Sequence, residues 1–451
     1  MAQFRIHTTA QDGKRVEFLY DNMTSALTHA DGTPVPVKGT RTMNWKGAAP
    51  ALAVSPQQPG QKRAPAVLKI QMGLSCNYEC EYCSQRFVPR AAEGNPAKVE
   101  SFLAMLALID TSALERIEYW GGEPFVYWKT LKPLAEKLRE RYPRVNFLII
   151  TNGSLLDPVK NEWLDRMGFT VAISHDGPGQ CARGPDPLDD EKSRAGIMDL
   201  YKRLRPQNRI SINAMIHAKN PSRAKVIEWM RERFGEDVLI GEGSFIDPYD
   251  EGGVSMSFDD AHDHLVFRRL ALQELAADMR MGQMTLNQQR IIDLIDSIAN
   301  ARPAHVLGQK CSMDRADHLA VDMDGAVLTC QNVSRAAKAP NGHTHHIGHM
   351  AMLDQARMKT STHWSQRAEC PKCPVLQSCK GSCMFLDGPL FETGCNNAFS
   401  YHLPYLAVVI QYLTGCSVRY IEGPQRADRK DVLGIVMGLP AKKKVIPIKA
   451  L

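Results

Sequence analysis

The sequence predicts an α/β fold with a parallel sheet at its centre, a small β unit before it and a cysteine-rich domain after it. Three observations carry this. Six strand-like runs alternate with amphipathic helical stretches between residues 65 and about 300. The residues before them hold two short strands around a turn. Seven of the twelve cysteines crowd between Cys311 and Cys395. The expected units are 1–64, 65–304, 305–400, and a helix with a tail over 401–451.

A chain of 451 residues implies two or three domains. Apolar residues make up 44% and charged residues 23%, as in ordinary globular proteins. The net charge of +6 is small for this length and spread along the chain, which speaks against a nucleic-acid partner. No apolar run approaches the roughly 18 residues a membrane span needs. The start, Met1-Ala-Gln-Phe-Arg-Ile-His7, lacks the order of a secretion signal. A cytoplasmic, reducing setting is therefore expected, where clustered cysteines serve metals or catalysis rather than disulfides.

Phe4–His7 and Arg15–Tyr20 read as strands around Gln11-Asp-Gly13, a hairpin turn signal. Residues 47–65, rich in Pro, Ala, Gly and Gln, read as a linker. This first unit suits either a leader-peptide holder or a β cap on the central sheet.

The central strands are expected at 67–73, 116–120, 146–151, 170–175, 209–216 and 238–246, with helices over 97–109, 129–142, 158–167, 190–205 and 221–234. Asp157-Pro158 and Asn220-Pro221 each place a cap residue before a proline, a helix-start signal. Repeated β–α units imply right-handed crossovers and a parallel sheet. Functional residues should then lie at the C-terminal strand ends.

The first strand runs into Cys76-Asn-Tyr-Glu-Cys80-Glu-Tyr-Cys83. Three thiolates on one short loop suit an iron–sulfur cluster. A fourth cysteine would close it, so three leave one iron open for chemistry. A closed zinc site needs a fourth ligand at finger-like spacing, and none follows nearby. The second strand ends in Trp120-Gly121-Gly122-Glu123-Pro124, where glycines allow close approach and Glu123 can accept hydrogen bonds from an ammonium group. The third ends in Thr151-Asn152-Gly153 and the fourth in Ser174-His175-Asp176-Gly177-Pro178. The fifth is expected to end near Asn213.

These motifs together resemble the radical SAM superfamily. The resemblance implies a partial (β/α)6 TIM-like barrel. It implies a [4Fe-4S] cluster on Cys76, Cys80 and Cys83 whose open iron binds S-adenosylmethionine. It places Tyr82 against the adenine, Gly121 to Pro124 around the methionyl end with Glu123 on its ammonium, and Ser174 on the ribose. Asn152, Asp176 and Arg183 complete the expected cofactor contacts, Arg183 pairing with the carboxylate. Without the resemblance, Asn152 reads as a turn residue, Asp176 as a helix cap and Arg183 as a surface ion pair.

The second cysteine group is Cys311, Cys330, Cys370, Cys373, Cys379, Cys383 and Cys395. Its spacing resembles the SPASM pattern of radical SAM proteins with auxiliary clusters, with a hairpin at Val321–Cys330 turning on Asp324-Gly325. A zinc ribbon accounts for Cys370 and Cys373 alone. The resemblance implies Cys311, Cys330 and Cys383 on auxiliary cluster I. Cys370, Cys373, Cys379 and Cys395 then hold cluster II, for three [4Fe-4S] clusters in all. No cysteine stands in Val306–Lys310, so the fourth iron of cluster I is expected to be open or exchangeable. Cys416 is the distant candidate ligand; Cys181 belongs to the barrel, and Asp314, Asp317 and His318 are near in sequence.

Among relatives of this kind the pattern is closest to peptide maturases and anaerobic sulfatase-maturating enzymes. The latter carry an aspartate base after the second SPASM cysteine; here Gln331 stands there, and an amide is no base. The expectation is therefore a ribosomally made peptide as substrate, with an external electron donor such as flavodoxin or ferredoxin. A small metabolite is the alternative substrate, and a non-catalytic electron carrier a third. His343, His345, His346 and His349 read as solvated loop residues, the methionines near 279–284 as helix packing, and Lys442–Lys444 as a solvated end.

Overall fold

The computed structural model describes residues 3–91, 93–281, 286–339 and 342–435. Its N-terminal strands are β1 (Gln3–Thr9), β2 (Arg15–Asp21) and β3 (Ala26–His29), antiparallel in sequence order. Phe4, Ile6 and Tyr20 alternate with exposed or half-buried residues and fill one face.

The linker is more built-in than its composition suggests. Its end forms β4 (Gly60–Gln61), and Lys62 is 1% exposed. The Lys62 ammonium donates to the carbonyls of Met313, Arg315 and His318 at 2.6, 2.9 and 2.8 Å. Burial pulls its pKa down to about 8. Three carbonyls replace the lost water, so this lysine pins the loop that follows Cys311.

The central strands are β5 (Val67–Gln71), β6 (Arg116–Trp120), β7 (Asn146–Thr151), β8 (Phe169–Ser174), β9 (Ile210–Ile216) and β10 (Ile240–Phe245). They pair in parallel and in sequence order, as expected of a partial barrel. Tyr119 packs against Phe147 and Phe169 in the core between this sheet and its helices.

Helix Pro158–Arg166 starts as expected: the Asp157 carboxylate accepts from the Lys160 N–H and Pro158 takes the first turn. The Asn220-Pro221 start is corrected. The helix is Arg223–Phe234, capped by the Ser222 hydroxyl, while the Asn220 amide donates to the Asp176 carbonyl at 2.8 Å. A tertiary partner captured the cap residue. β9 ends at Ile216, as the expected span 209–216 has it, so Asn213 lies inside the strand rather than at its end.

The sheet does not stop at β5. Strand β11 (His318–Asp322) lies parallel to β5, with His318 opposite Val67 and Asp322 opposite Gln71. β12 (Ala326–Leu328) forms the expected hairpin, with Gly325 at φ +80°, and β13 (His346–His349) adds an edge. The nine strands thus run continuously from the barrel into the cysteine-rich region. β14 (Arg357–Met358) pairs with β4.

The histidine loop is corrected. His346–His349 form a strand, and His345 is buried, its ring edge-on to Phe385 and its Nδ1 bonded to the Thr329 hydroxyl. Apolar packing at 345 outweighs the polar look of the tract.

One helix, Gly388–Thr414, carries both Cys395 and the apolar stretch after residue 400, so the expected unit boundary falls inside an element. It packs on helix Ala261–Met281, where Met279 lies against the core as expected of helix packing; residues 282–285 lie outside the described set. Strand β15 (Ser417–Glu422), unanticipated in the tail, completes the N-terminal sheet beside β1, with Arg5 opposite Glu422 and Thr9 opposite Ser417. Phe4, Tyr20, Tyr405, Val409 and Ile421 share one core, so the two ends of the chain form one unit. Lys442–Lys444 fall outside the described residues.

Candidate functional site

The C-terminal strand ends surround a cavity of about 670 Å³. Cys76, Cys80 and Cys83 line it, on the irregular loop that leaves β5. The loop is tied down from several sides. The Asn152 side-chain amide donates to the side-chain Oδ1 of Asn77 at 2.9 Å, and the Glu81 N–H to the Ala182 carbonyl at 2.8 Å. The N–H groups of Tyr78 and Gln85 point at the sulfurs of Cys76 and Cys83, both at 3.4 Å. Burial pushes the Cys80 thiol up to about 11. A cationic metal centre would supply the compensation that thiolates need there.

Gly122 explains part of the second strand end. A Cβ there would meet the Ser75 carbonyl oxygen at 2.4 Å, and one on Gly121 the Gly73 oxygen at 3.1 Å. The close approach is thus first of all to the cysteine loop, though both glycines also line the cavity. Pro124 is buried, opens a short helical turn, and is not among the cavity-lining residues.

Glu123 lines the cavity and is 1% exposed. Oε1 accepts from the Phe125 N–H at 3.0 Å and the Thr151 hydroxyl at 2.8 Å; Oε2 accepts from the Asn152 N–H at 2.8 Å. Three donors fix the carboxyl and leave one acceptor position on Oε2. Burial raises its pKa to about 7, against these hydrogen bonds.

Asp176 is fully buried and is not among the cavity-lining groups. Its carboxylate accepts from the Met215 N–H at 2.8 Å, from the Tyr82 hydroxyl, and pairs with Arg183 at 3.1 Å. It positions two groups that do face the cavity, Tyr82 and Arg183, whose guanidinium lies 5.7 Å from the Tyr82 ring centre. Tyr82 also packs on His217, ring centres 5.6 Å apart. Asn152 and Ser174 line the cavity.

Met215, Ile246, Asp247 and Tyr249 line the same cavity and were missed. Their signal was available: each lies at or just beyond the end of β9 or β10, where such a fold places its functional groups.

The cysteine-rich region forms two further groupings. Cys370, Cys373, Cys379 and Cys395 all line one cavity, with Arg429 Nη2 3.3 Å from the Cys395 sulfur. Among the described residues no three His, Cys, Asp or Glu side chains converge as tightly as a single metal ion requires. The cavity they share is small, about 20 Å³, and four cysteines around one point are the ligand set a [4Fe-4S] cluster takes. Burial lifts the Cys373 thiol to about 11 and the Cys379 thiol to about 12.

Cys330 and Cys383 are likewise pushed up to about 12 by burial, with Cys311 close enough to act on both electrostatically. Cys330 lines a second cavity of about 290 Å³, which shares Ser84, Phe87, Val88, Tyr249 and Asn332 with the 670 Å³ cavity. The Gln71 amide, at the end of β5, donates to the carbonyls of Gln331 and Val333, both at 2.7 Å, and so locks this loop to the barrel. The Gln331 side chain is buried, sits 3.6 Å from the Cys330 sulfur and lines neither cavity. Cys416 lies in the apolar core shared by the chain ends, its thiol directed at the Thr414 carbonyl.

A family model described as a 4Fe-4S single cluster domain matches residues 70–179. The chain is 23% identical over 167 residues to the radical SAM cyclopropyl synthase TigE of Paramaledivibacter caminithermalis, a match covering 33% of this chain and 35% of that protein. It is 26% identical over 110 residues to the GTP 3',8-cyclase of Clostridium acetobutylicum, covering 24% and 34%. Both matches span about a third of the relative's length. Among solved structures, anSMEcpe with bound AdoMet aligns with a TM-score of 0.54 at 18% identity, over 78% of this chain and 98% of that one. The same protein with AdoMet and the Cp18Cys peptide gives 0.53 at 18% identity, covering 78% and 99%. The likeness to these structures is one of fold.

Proposed function

We propose that this chain, a radical SAM protein with a SPASM-type cysteine-rich region, generates a 5'-deoxyadenosyl radical and uses it to take a hydrogen atom from a peptide. The observation that carries this is the 670 Å³ cavity, which joins the three-cysteine loop to Glu123, Ser174 and Arg183 and continues toward Cys330.

In this reading Cys76, Cys80 and Cys83 hold a [4Fe-4S] cluster, and the remaining seven cysteines hold auxiliary clusters I and II. When bound, the first cluster supplies the electron that cleaves S-adenosylmethionine. The chain's own groups bind and orient. The free acceptor position on Glu123 takes the cofactor ammonium, a charge-assisted bond. Arg183, held by Asp176, offers its cation to the carboxylate, and Ser174 hydrogen-bonds the ribose. Tyr82 is anchored through its hydroxyl, so its ring presents a fixed apolar face for the adenine.

The substrate reading is a ribosomally made peptide, modified at an unactivated carbon by a crosslink or related change. The main cavity of about 670 Å³ and its neighbour of about 290 Å³, which share lining residues, offer room beyond the cofactor. Formylglycine formation is disfavoured, since Gln331 stands where a base is needed and an amide is no base. Oxidation or rearrangement of a small metabolite is the second reading. An external donor of the flavodoxin or ferredoxin kind supplies the electrons.

The test is anaerobic reconstitution, then incubation with S-adenosylmethionine and dithionite. 5'-Deoxyadenosine should appear, and mass spectrometry of a co-expressed peptide from the neighbouring gene should show a mass change. No cofactor cleavage would overturn the radical reading; cleavage with an unaltered peptide and an altered metabolite would favour the second.

A further inference from the structure

The last barrel strand leads into Asp247-Pro248-Tyr249, a segment anchored on the neighbours of two cysteines. The Asp247 carboxylate accepts from the Ser382 hydroxyl, next to Cys383, and pairs with the Lys310 ammonium at 3.3 Å, next to Cys311. Immediately beyond, the Asp250 carboxylate accepts from the Gly253 N–H at 3.0 Å and starts the next helical turn. Tyr249 is thus held at both ends. Its side chain lines both the main cavity and the second one that reaches Cys330. Its hydroxyl lies 2.9 Å from the Cys383 sulfur.

We propose that Tyr249 is a positioning residue that tunes auxiliary cluster I from the wall of the reaction cavity, by donating its O–H to the Cys383 sulfur. This rests on the reading that Cys311, Cys330 and Cys383 hold a cluster. A hydrogen bond to a cluster sulfur stabilises the extra negative charge of the reduced state, so it raises the reduction potential. An oxygen 2.9 Å from the sulfur is placed as a donor to that sulfur. The tyrosine ring meanwhile forms part of the wall that substrate would touch. The same side chain therefore couples what fills the cavity to the electron affinity of cluster I.

The experiment compares wild type and Tyr249→Phe as reconstituted full chains, by iron content and by redox titration followed with electron paramagnetic resonance. Tyr249→Phe keeps the ring and removes only the hydroxyl. Iron should be unchanged, one auxiliary signal should shift to more negative potential, and the signal lost in Cys370→Ala should not move. Identical potentials in both proteins would overturn the role of Tyr249. Loss of one iron with a [3Fe-4S] signal would also overturn it, making Tyr249 a ligand instead. If Cys311→Ala and Cys383→Ala leave every signal of the wild type in place, it is the cluster reading that fails.

Discussion

The Arg183 guanidinium lies 3.1 Å from the Asp176 carboxylate, and the Tyr82 hydroxyl donates to the same group. One buried acid thus sets two cavity-facing groups. In Asp176→Asn the cation loses its partner, and breaking such a buried pair costs about 3–5 kcal/mol. S-Adenosylmethionine binding should fall at least tenfold while iron on Cys76, Cys80 and Cys83 is retained. Equilibrium dialysis with iron analysis checks this, and unchanged affinity would show that Arg183 and Tyr82 do not meet the cofactor.

Glu123 titrates near neutrality because it is buried. Recognition of an ammonium needs the carboxylate, whose fraction grows as pH rises through about 7. Cofactor affinity should therefore rise from pH 6 to a plateau above about pH 8. Glu123→Gln should flatten this profile and weaken binding by roughly 1.5–3 kcal/mol, the range for a charged hydrogen bond. A wild-type profile already flat across this window would count against the contact.

Three four-iron clusters should bring about twelve irons per chain. Replacing Cys76, Cys80 and Cys83 together by alanine should remove about a third of that iron and all cofactor cleavage. Surviving cleavage in this variant would end the proposed chemistry.

His345 is buried, and burial pulls its pKa down to about 4. The unfolded chain takes up a proton below about 6.5, whereas the folded chain resists until about 4. The contribution is present above pH 6.5 and is lost as pH falls toward 4, on the order of 3 kcal/mol. Thermal melts of the apo chain should show this acid slope, and His345→Gln should reduce it. Parallel slopes for the two proteins would mean that another group, such as His264, governs acid lability.

Cys416 should be a packing residue. Cys416→Ala removes a buried thiol from the core shared by the chain ends, at a cost of about 1 kcal/mol. The melting temperature should fall slightly, with iron content and cluster spectra unaltered. A lost or changed auxiliary signal would make it the distant ligand.

Short-range information in the sequence determined the parallel strands, the helix start at Asp157, the hairpin turning on Gly325 and the two cysteine groups. Each is encoded by residues close along the chain: short apolar runs alternating with amphipathic helical stretches, a cap followed by proline, a glycine at positive φ, fixed cysteine spacing. What depends on partners far along the chain was decided only by the tertiary structure. Asn220 left its cap role because the Asp176 carbonyl took its amide. Asp176 turned inward because Arg183, Tyr82 and Met215 converge on it from three segments. Ser417–Glu422 became a strand because β1 offered an edge more than four hundred residues earlier, and pairing there satisfied both backbones. Tyr249 gained its place beside Cys383 for the same reason: no local pattern announces a contact across 134 residues.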